Sequence, residues 1–329
     1  MKKLIKIIGY LFGAIIIFVI GALAYLQIAF PSVAEPAELN VEHSQARIER
    51  GAYLANHVTV CMDCHSTRDF SLFSGPPVDG TLGKGGDKFD HSMGFPGVFY
   101  AKNITPTGIS DYTDGELYRV ITTGVTNDGR PMFPLMPYLY YGKMDPEDIY
   151  SIIAYIRSLD PIDYEVPDSE ADFPVNLIMR TIPTEASPEK TPDPSDQVAY
   201  GAYLTNAAGC IECHTPVTPQ GQIIPEMAFS GGREFGNPDG SVLRSSNITP
   251  DPSGLASWDE TRFVRQFKQY QDSGYVIPKV QPGEFNSLMP WTMYSGMKDE
   301  DLKAIYAYLK TVKPISNQVV KFTPAEASE

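Results

Sequence analysis

The sequence predicts an all-α fold built twice over and carried by one membrane-spanning helix. Three observations predict it: a segment of roughly 120 residues recurs along the chain, each copy carries the same helix-start signals and helically spaced apolar residues, and one long uncharged apolar run stands at the N-terminus. A length of 329 residues suggests two domains. With 43% hydrophobic and 20% charged residues the chain is globular rather than disordered. A pI near 4.8, with no basic cluster beyond the first six residues, excludes a nucleic-acid binder. A single apolar run excludes a polytopic membrane protein. The 28 prolines and 27 glycines suit helices joined by long irregular loops.

The first element is the run Ile7 to Phe30, preceded by Lys2, Lys3 and Lys6. Its roughly 24 uncharged residues exceed both the ~20 that cross a bilayer and the ~7–15 of a signal-peptide core. Residues 1–30 therefore read as a retained anchor, with the lysines in the cytoplasm and everything after Phe30 outside, facing the periplasm of a bacterial inner membrane. Small-residue sites at Ala22-Leu23-Ala24 and Val33-Ala34 keep cleavage open as the other reading, and either exports the body. Without its lysine-rich start the chain is more acidic still than its net charge of -14, which favours basic partner surfaces.

After a short linker at 31–45, the copies occupy 46–162 and 198–318, with a Pro- and acid-rich extended linker at 163–197 and a tail at 319–329. Gly51-Ala52-Tyr53-Leu54 matches Gly201-Ala202-Tyr203-Leu204, with one extra residue before Cys61 in the first copy. Asn103-Ile104-Thr105-Pro106 matches Asn247-Ile248-Thr249-Pro250. Leu135 through Ile162 aligns without a gap to Leu288 through Ile315. In each copy the first helix should run into the cysteine motif. A second should begin at Thr113, with Glu116 completing a capping box, and at Asp259. The closing helix starts at Asp145-Pro146, where Ile149, Ile152, Ile153 and Ile156 form an apolar stripe, and recurs with Leu302, Ile305, Tyr306 and Leu309. Gly51 and Gly201 would let the first helix approach the closing one closely. Ser71 to Phe99 and Thr215 to Ser245 show no clean period and read as loops.

The four cysteines stand as Cys61-Met62-Asp63-Cys64-His65 and Cys210-Ile211-Glu212-Cys213-His214, the pattern of c-type haem attachment. Two thiols so spaced can form thioethers to both vinyl groups on one porphyrin edge, and the next imidazole becomes the proximal iron ligand. Disulfides or a zinc tetrad would leave both following histidines idle, although the chain has only five. A thioredoxin-like pair would need a βαβ setting that the pattern lacks. Two covalently bound haem c groups are thus expected, on Cys61, Cys64 and His65 and on Cys210, Cys213 and His214.

An electron-transfer haem needs a sixth ligand, and the second copy has no other histidine. Met289, in a Pro-flanked loop, is its candidate, and Met136 is the matched candidate in the first copy. Met132, which aligns with Phe285, competes with Met136, as do His43, His57 and His91. Met144 and Met297 are matched too but read as core. Asn103-Ile104-Thr105 fits a glycosylation triplet, but Pro follows it; its duplication suggests a haem-edge loop, with Tyr112 and Trp258 downstream as contacts. Asp111, Asp114 and Glu116 read as a helix-capping acidic turn rather than a cation site.

On these motifs, with the Leu-Met-Pro-Tyr and Leu-Met-Pro-Trp loops and the Ala154-Tyr155 and Ala307-Tyr308 pairs, the chain resembles a duplicated class I cytochrome c over about Ala46 to Ile315. It is similar to the membrane-anchored cytochrome c subunits of dehydrogenases acting on alcohols, aldehydes or sugar acids. Those subunits typically carry three haem motifs and this chain has two. The resemblance implies a dihaem carrier of single electrons from a dehydrogenase or quinol-oxidising complex to a terminal oxidase, with no catalytic residue, small-molecule substrate or nucleic-acid partner of its own. The alternative is a dihaem cytochrome c peroxidase, in which His57 or His91 would be a displaceable ligand; the gapless Met136–Met289 match speaks for the carrier. A redox- or gas-sensing protein is a third class, and no signalling segment accompanies the motifs.

Overall fold

The computed structural model describes residues 2–237 and 239–325. Helix α1 spans Lys2–Ala29, and none of its residues is buried. The first repeat follows as α2 (Gln45–Tyr53), a π-helical turn at Leu54–Val58, α3 (Cys61–Cys64), strands β1 (Lys88–Phe89) and β2 (Gly97–Tyr100), α4 (Asp114–Thr123), α5 (Tyr138–Tyr141) and α6 (Pro146–Arg157). Strand β3 (Glu170–Ala171) and α7 (Val175–Ile178) lie between the repeats. The second repeat comprises α8 (Gln197–Ala207), α9 (Cys210–His214), β4 (Glu234–Gly236), β5 (Val242–Arg244), α10 (Glu260–Lys268), α11 (Trp291–Tyr294) and α12 (Asp299–Leu309), followed by β6 (Phe322–Thr323).

Helix starts lie where the sequence signals them. Thr113 and Glu116 form a reciprocal capping box on α4, and the side chains of Asp259 and Asp145 accept from the first turns of α10 and α6. Asp114, read as a capping acid, accepts from the Val41 N–H at 2.9 Å and pairs with Arg157 at 3.2 Å. Ile149, Ile152, Ile153 and Ile156 are buried along α6; Leu302, Ile305 and Leu309 are buried along α12, while Tyr306 is only partly covered.

The chain is mostly helical rather than all-α. The supposedly loop-like segments 71–99 and 215–245 contribute β1, β2, β4 and β5 to two antiparallel three-stranded sheets, ordered β1-β2-β3 and β4-β5-β6. These strands have two to four residues, too few to display an alternating period. Each third strand comes from the far side of a repeat: Gly97 pairs with Ala171, and Val242 with Thr323. Segment 163–197 accordingly folds back on the first repeat, where Ser187 N–H donates to the Gly142 carbonyl at 2.9 Å and Thr191 N–H to Asp145 Oδ2 at 2.9 Å. Of the expected tail, residues 326–329 lie outside the described residues.

The first helix of each repeat stops before the cysteines. A left-handed residue, Val60 (φ 43°) or Gly209 (φ 61°), ends it, and the motif forms a separate turn, α3 or α9. The extra residue of the first copy is absorbed as the π-helical turn, the ordinary fate of a single insertion in a helix.

Within each repeat the first and closing helices cross with backbones in contact. A Cβ on Gly51 would lie 1.8 Å from the Ser151 carbonyl oxygen, and one on Gly201 would lie 1.9 Å from that of Ala304. Between repeats the contacts are reciprocal, as in an isologous interface. Tyr53 Oη donates to the Asp301 carboxylate, and Tyr203 Oη to Asp148 Oδ2 at 2.7 Å. Lys298 N–H donates to Tyr53 Oη at 3.1 Å, and Asp145 N–H to Tyr203 Oη at 3.2 Å. Burial, then the bond to Asp301, pushes the Tyr53 hydroxyl well above its ordinary range; burial, then the Asp148 charge, does the same to Tyr203. Both phenols therefore remain donors. Arg50 adds a two-pronged pair with Asp148, each contact 2.9 Å.

Gly51→Ala and Gly201→Ala should each lower unfolding stability by about 2–3 kcal/mol, because a methyl group forces two helix backbones apart. Gly236→Ala, with nothing within 4 Å of its Cβ position, should stay within about 0.5 kcal/mol of the parent. Denaturant unfolding of the three variants checks the crossing, which is refuted if all three behave alike.

Candidate haem-attachment sites

In each motif the two cysteines are three residues apart on one helical turn, so both thiols project to one side. All four are free. Cys213 is exposed and the other three are half-exposed, so all four thiols can be reached from outside. Among the described residues no three His, Cys, Asp or Glu side chains gather as a metal cluster, so the four cysteines do not form one tetrad.

The histidine that follows each motif is oriented by the backbone. His65 Nδ1 lies 2.6 Å from the Lys102 carbonyl oxygen, and His214 Nδ1 lies 2.7 Å from that of Ser246. A carbonyl only accepts, so Nδ1 carries the proton and Nε2 is left with its lone pair, the tautomer an iron ligand requires. Burial pushes both imidazoles down, which keeps them neutral.

Lys102 and Ser246 immediately precede the two Asn-Ile-Thr-Pro loops, which explains the duplicated motif. Asn103 Oδ1 accepts from Thr105 N–H at 2.9 Å and Thr105 Oγ1 at 2.7 Å, while Asn103 Nδ2 donates to the Ile162 carbonyl at 2.8 Å. Asn247, Thr249 and Ile315 repeat this at 2.9, 2.8 and 2.8 Å. The loop is thus a clamp between the histidine and the end of the closing helix. Downstream, the backbone carbonyls of Tyr112 and Trp258 accept from Arg157 and from Tyr306 Oη.

Met136 and Met289 are half-exposed, whereas Met144 and Met297 are 1% exposed and serve as core. The methionine loops turn alike, with Tyr138 N–H donating to the Met136 carbonyl and Trp291 N–H to that of Met289, both at 2.8 Å. The competing histidines are engaged elsewhere or exposed. His57 Nδ1 lies 2.8 Å from the Met293 carbonyl across the repeat interface, the place that Asn206 takes opposite the Tyr140 carbonyl at 3.0 Å. His91 Nε2 pairs with Asp172 at 2.7 Å, and His43 is exposed.

Ser74, in the first repeat, carries no sequence signal of its own. It is fully buried at φ 66°, and its hydroxyl donates to the Met289 carbonyl at 2.6 Å and accepts from Trp291 N–H at 2.9 Å. Ser74 N–H donates to Asn286 Oδ1 at 2.8 Å. One repeat therefore braces the methionine loop of the other. Ser74→Ala should cost about 1–3 kcal/mol by stranding those polar groups, and Ser110→Ala, an exposed hydroxyl 3.4 Å from Asp111, within about 0.5 kcal/mol. Equal unfolding midpoints for the two variants would contradict the brace.

The donor set suits a covalently attached flat ring at each site: paired thiols on one helical turn, an imidazole with a free Nε2, and a methionine loop leading towards the closing helix. Residues 198–313 match the cytochrome c family. Over 82% of its length the chain is 29% identical to the cytochrome c subunit of alcohol dehydrogenase (quinone) from Gluconacetobacter polyoxogenes, and it spans 57% of that relative. It is 26% identical over 91% of its length to the cytochrome c subunit of gluconate 2-dehydrogenase from Pantoea cypripedii, spanning 65% of it. It is 27% identical over 78% of its length to a diheme cytochrome c-type protein of Cereibacter sphaeroides, spanning 82% of it. The second repeat is a cytochrome c domain, the kind of domain that holds covalent haem c, and the chain is a distant homologue of cytochrome c subunits of dehydrogenases and of a dihaem cytochrome c.

Proposed function

We propose that the chain is a dihaem c-type cytochrome that carries single electrons, with haem domains at 46–162 and 198–318. Cys61 and Cys64 hold one haem and Cys210 and Cys213 the other; His65 and His214 are the proximal ligands, Met136 and Met289 the sixth. A haem iron so bound supplies reversible one-electron chemistry, and methionine as sixth ligand raises its potential relative to a second histidine. The chain's own residues do the rest. The Lys102 and Ser246 carbonyls hold each imidazole in one tautomer, and the Asn-Ile-Thr-Pro clamps fix those carbonyls.

The observation that carries this reading is the equivalence of the two sites. Histidine, carbonyl, clamp and methionine loop recur in both repeats, while His57 and His91 are bonded elsewhere. A peroxidase would need one site unlike the other and a displaceable ligand. The two repeats also meet close to the attachment turns: Asn206 Nδ2, four residues before Cys210, donates to the Tyr140 carbonyl of the other repeat at 3.0 Å. That proximity suits exchange between two carriers. Helix α1 reads as an anchor in a bacterial inner membrane with the repeats in the periplasm. The homology supports a dehydrogenase as electron donor and a terminal oxidase as eventual acceptor.

Methionine sulfur gives ferric low-spin haem a weak far-red absorption band. Met136→Ala and Met289→Ala should each remove about half of it, lower the potential of one haem only, and leave both haems attached, because the thioethers are untouched. Met132→Ala should do neither. A parent without the band, together with a spectral change in His57→Ala or His91→Ala, would overturn the ligand assignment and bring the peroxidase forward.

A further inference from the structure

The segment between the repeats carries an apolar surface that neither site uses. Phe173 is 79% exposed and Ile178 is 54% exposed, and between Asp172 and Arg180 there is no charged residue. Val175, Leu177 and Met179 are half-covered beneath them.

Its place in the fold says what faces it. Arg180 has no carboxylate partner among the described residues. Its guanidinium donates instead to the last carbonyls of α1 and the residue after it: Leu26 at 3.3 Å, Gln27 at 3.2 Å and Phe30 at 2.5 Å. It thus satisfies the C-terminal end of that helix and complements its dipole. Leu26, Ala29 and Phe30 are half-covered where the rest of α1 is mostly exposed. Ala34 N–H is in turn held by Glu185 Oε1 at 2.6 Å, so the start of the body is tied on both sides of the segment. From Ile7, past the cytoplasmic lysines, to Ala29 the uncharged part of the helix reaches about 35 Å against a hydrocarbon core of about 30 Å. The last turn of α1 therefore stands at the lipid–water boundary, and the segment pinned to it stands at the same depth.

We propose that residues 173–179 form a second, interfacial contact with the lipid bilayer, in which Phe173 and Ile178 enter the boundary between headgroups and acyl chains beside the point where α1 emerges. Arg180, at the segment's end, both caps α1 and faces the phosphate layer. Aromatic and aliphatic side chains next to an arginine are the composition that settles at this depth. Because the same segment follows β3, which pairs with β2 of the first repeat, the contact fixes that repeat's orientation on the membrane instead of leaving it on a swivel at Phe30. The inference rests on the reading of α1 as an anchor, and the test separates the two.

The full chain, in vesicles of phosphatidylethanolamine and phosphatidylglycerol, is spin-labelled at one introduced cysteine at a time: Phe18→Cys in mid-α1, Phe173→Cys, Ile178→Cys, and Glu300→Cys as an exposed reference on the second repeat. Both test positions are exposed, so two independent variants should fold. Collisions with oxygen, relative to a water-soluble nickel chelate, should be several-fold more frequent at 173 and 178 than at 300, and highest at 18. If 18 reads as lipid while 173 and 178 match 300, the interfacial contact is wrong and the anchor stands. Labels at 173 and 178 shielded from both reagents mean that protein covers the patch, which also refutes the proposal. If 18 itself reads as water, the anchor fails and the inference falls with it.

Discussion

The crossing of first and closing helices through Gly51 and Gly201 is the constraint on which the rest of each repeat depends. With Ser151 and Ala304 carbonyls where a Cβ would stand, no other side chain fits without moving a helix. The turn bearing the cysteines leaves one of these helices, and the loop bearing Met136 or Met289 leads into the other. The cysteine turn and the methionine loop of each repeat are therefore both indexed to one backbone contact. The Asn-Ile-Thr-Pro clamps tie the histidine acceptor to Ile162 and Ile315, just beyond the closing helices, so the third element of each site takes its position from the same frame.

The dyad between repeats draws on the same helices. Asp148 and Asp301 lie on α6 and α12, Tyr53 and Tyr203 on α2 and α8, and each pairs across the interface rather than within its own repeat. Duplication made this arrangement available at once, since any surface that pairs with its own copy gains two contacts from one sequence change. The copies then diverged in their support. Arg50 reinforces Asp148, and its counterpart facing Asp301 is Tyr200, whose hydroxyl burial pushes up to about 12. Ser74 braces the second methionine loop alone, and Val60 holds a left-handed turn that Gly209 adopts without strain.

Much of this was legible in the sequence where the signal was local or repeated. The capping residues at Thr113, Asp145 and Asp259 act within one helical turn, and the paired Cys-x-x-Cys-His motifs name their chemistry by spacing. The Asn-Ile-Thr-Pro loops announced themselves by recurrence, but their task, holding the carbonyls of Lys102 and Ser246, could not be read because the histidines they serve lie more than thirty residues away. His57 looked like a spare ligand because its partner, the Met293 carbonyl, is a long-range acceptor with no side-chain signature. The short strands stayed hidden because pairs such as Gly97 with Ala171 join segments too brief for a period.

The central claim is that the two repeats are the same device, each holding its own haem covalently. The measurement that tests it most directly is the haem content of the full chain after denaturation and acid-acetone extraction, by pyridine haemochrome against polypeptide. Two haems per chain are expected, falling to one when Cys61 and Cys64 are both changed to Ala and to one when Cys210 and Cys213 are. Haem lost to the solvent, or a single haem that survives only one of those double changes, would contradict the account.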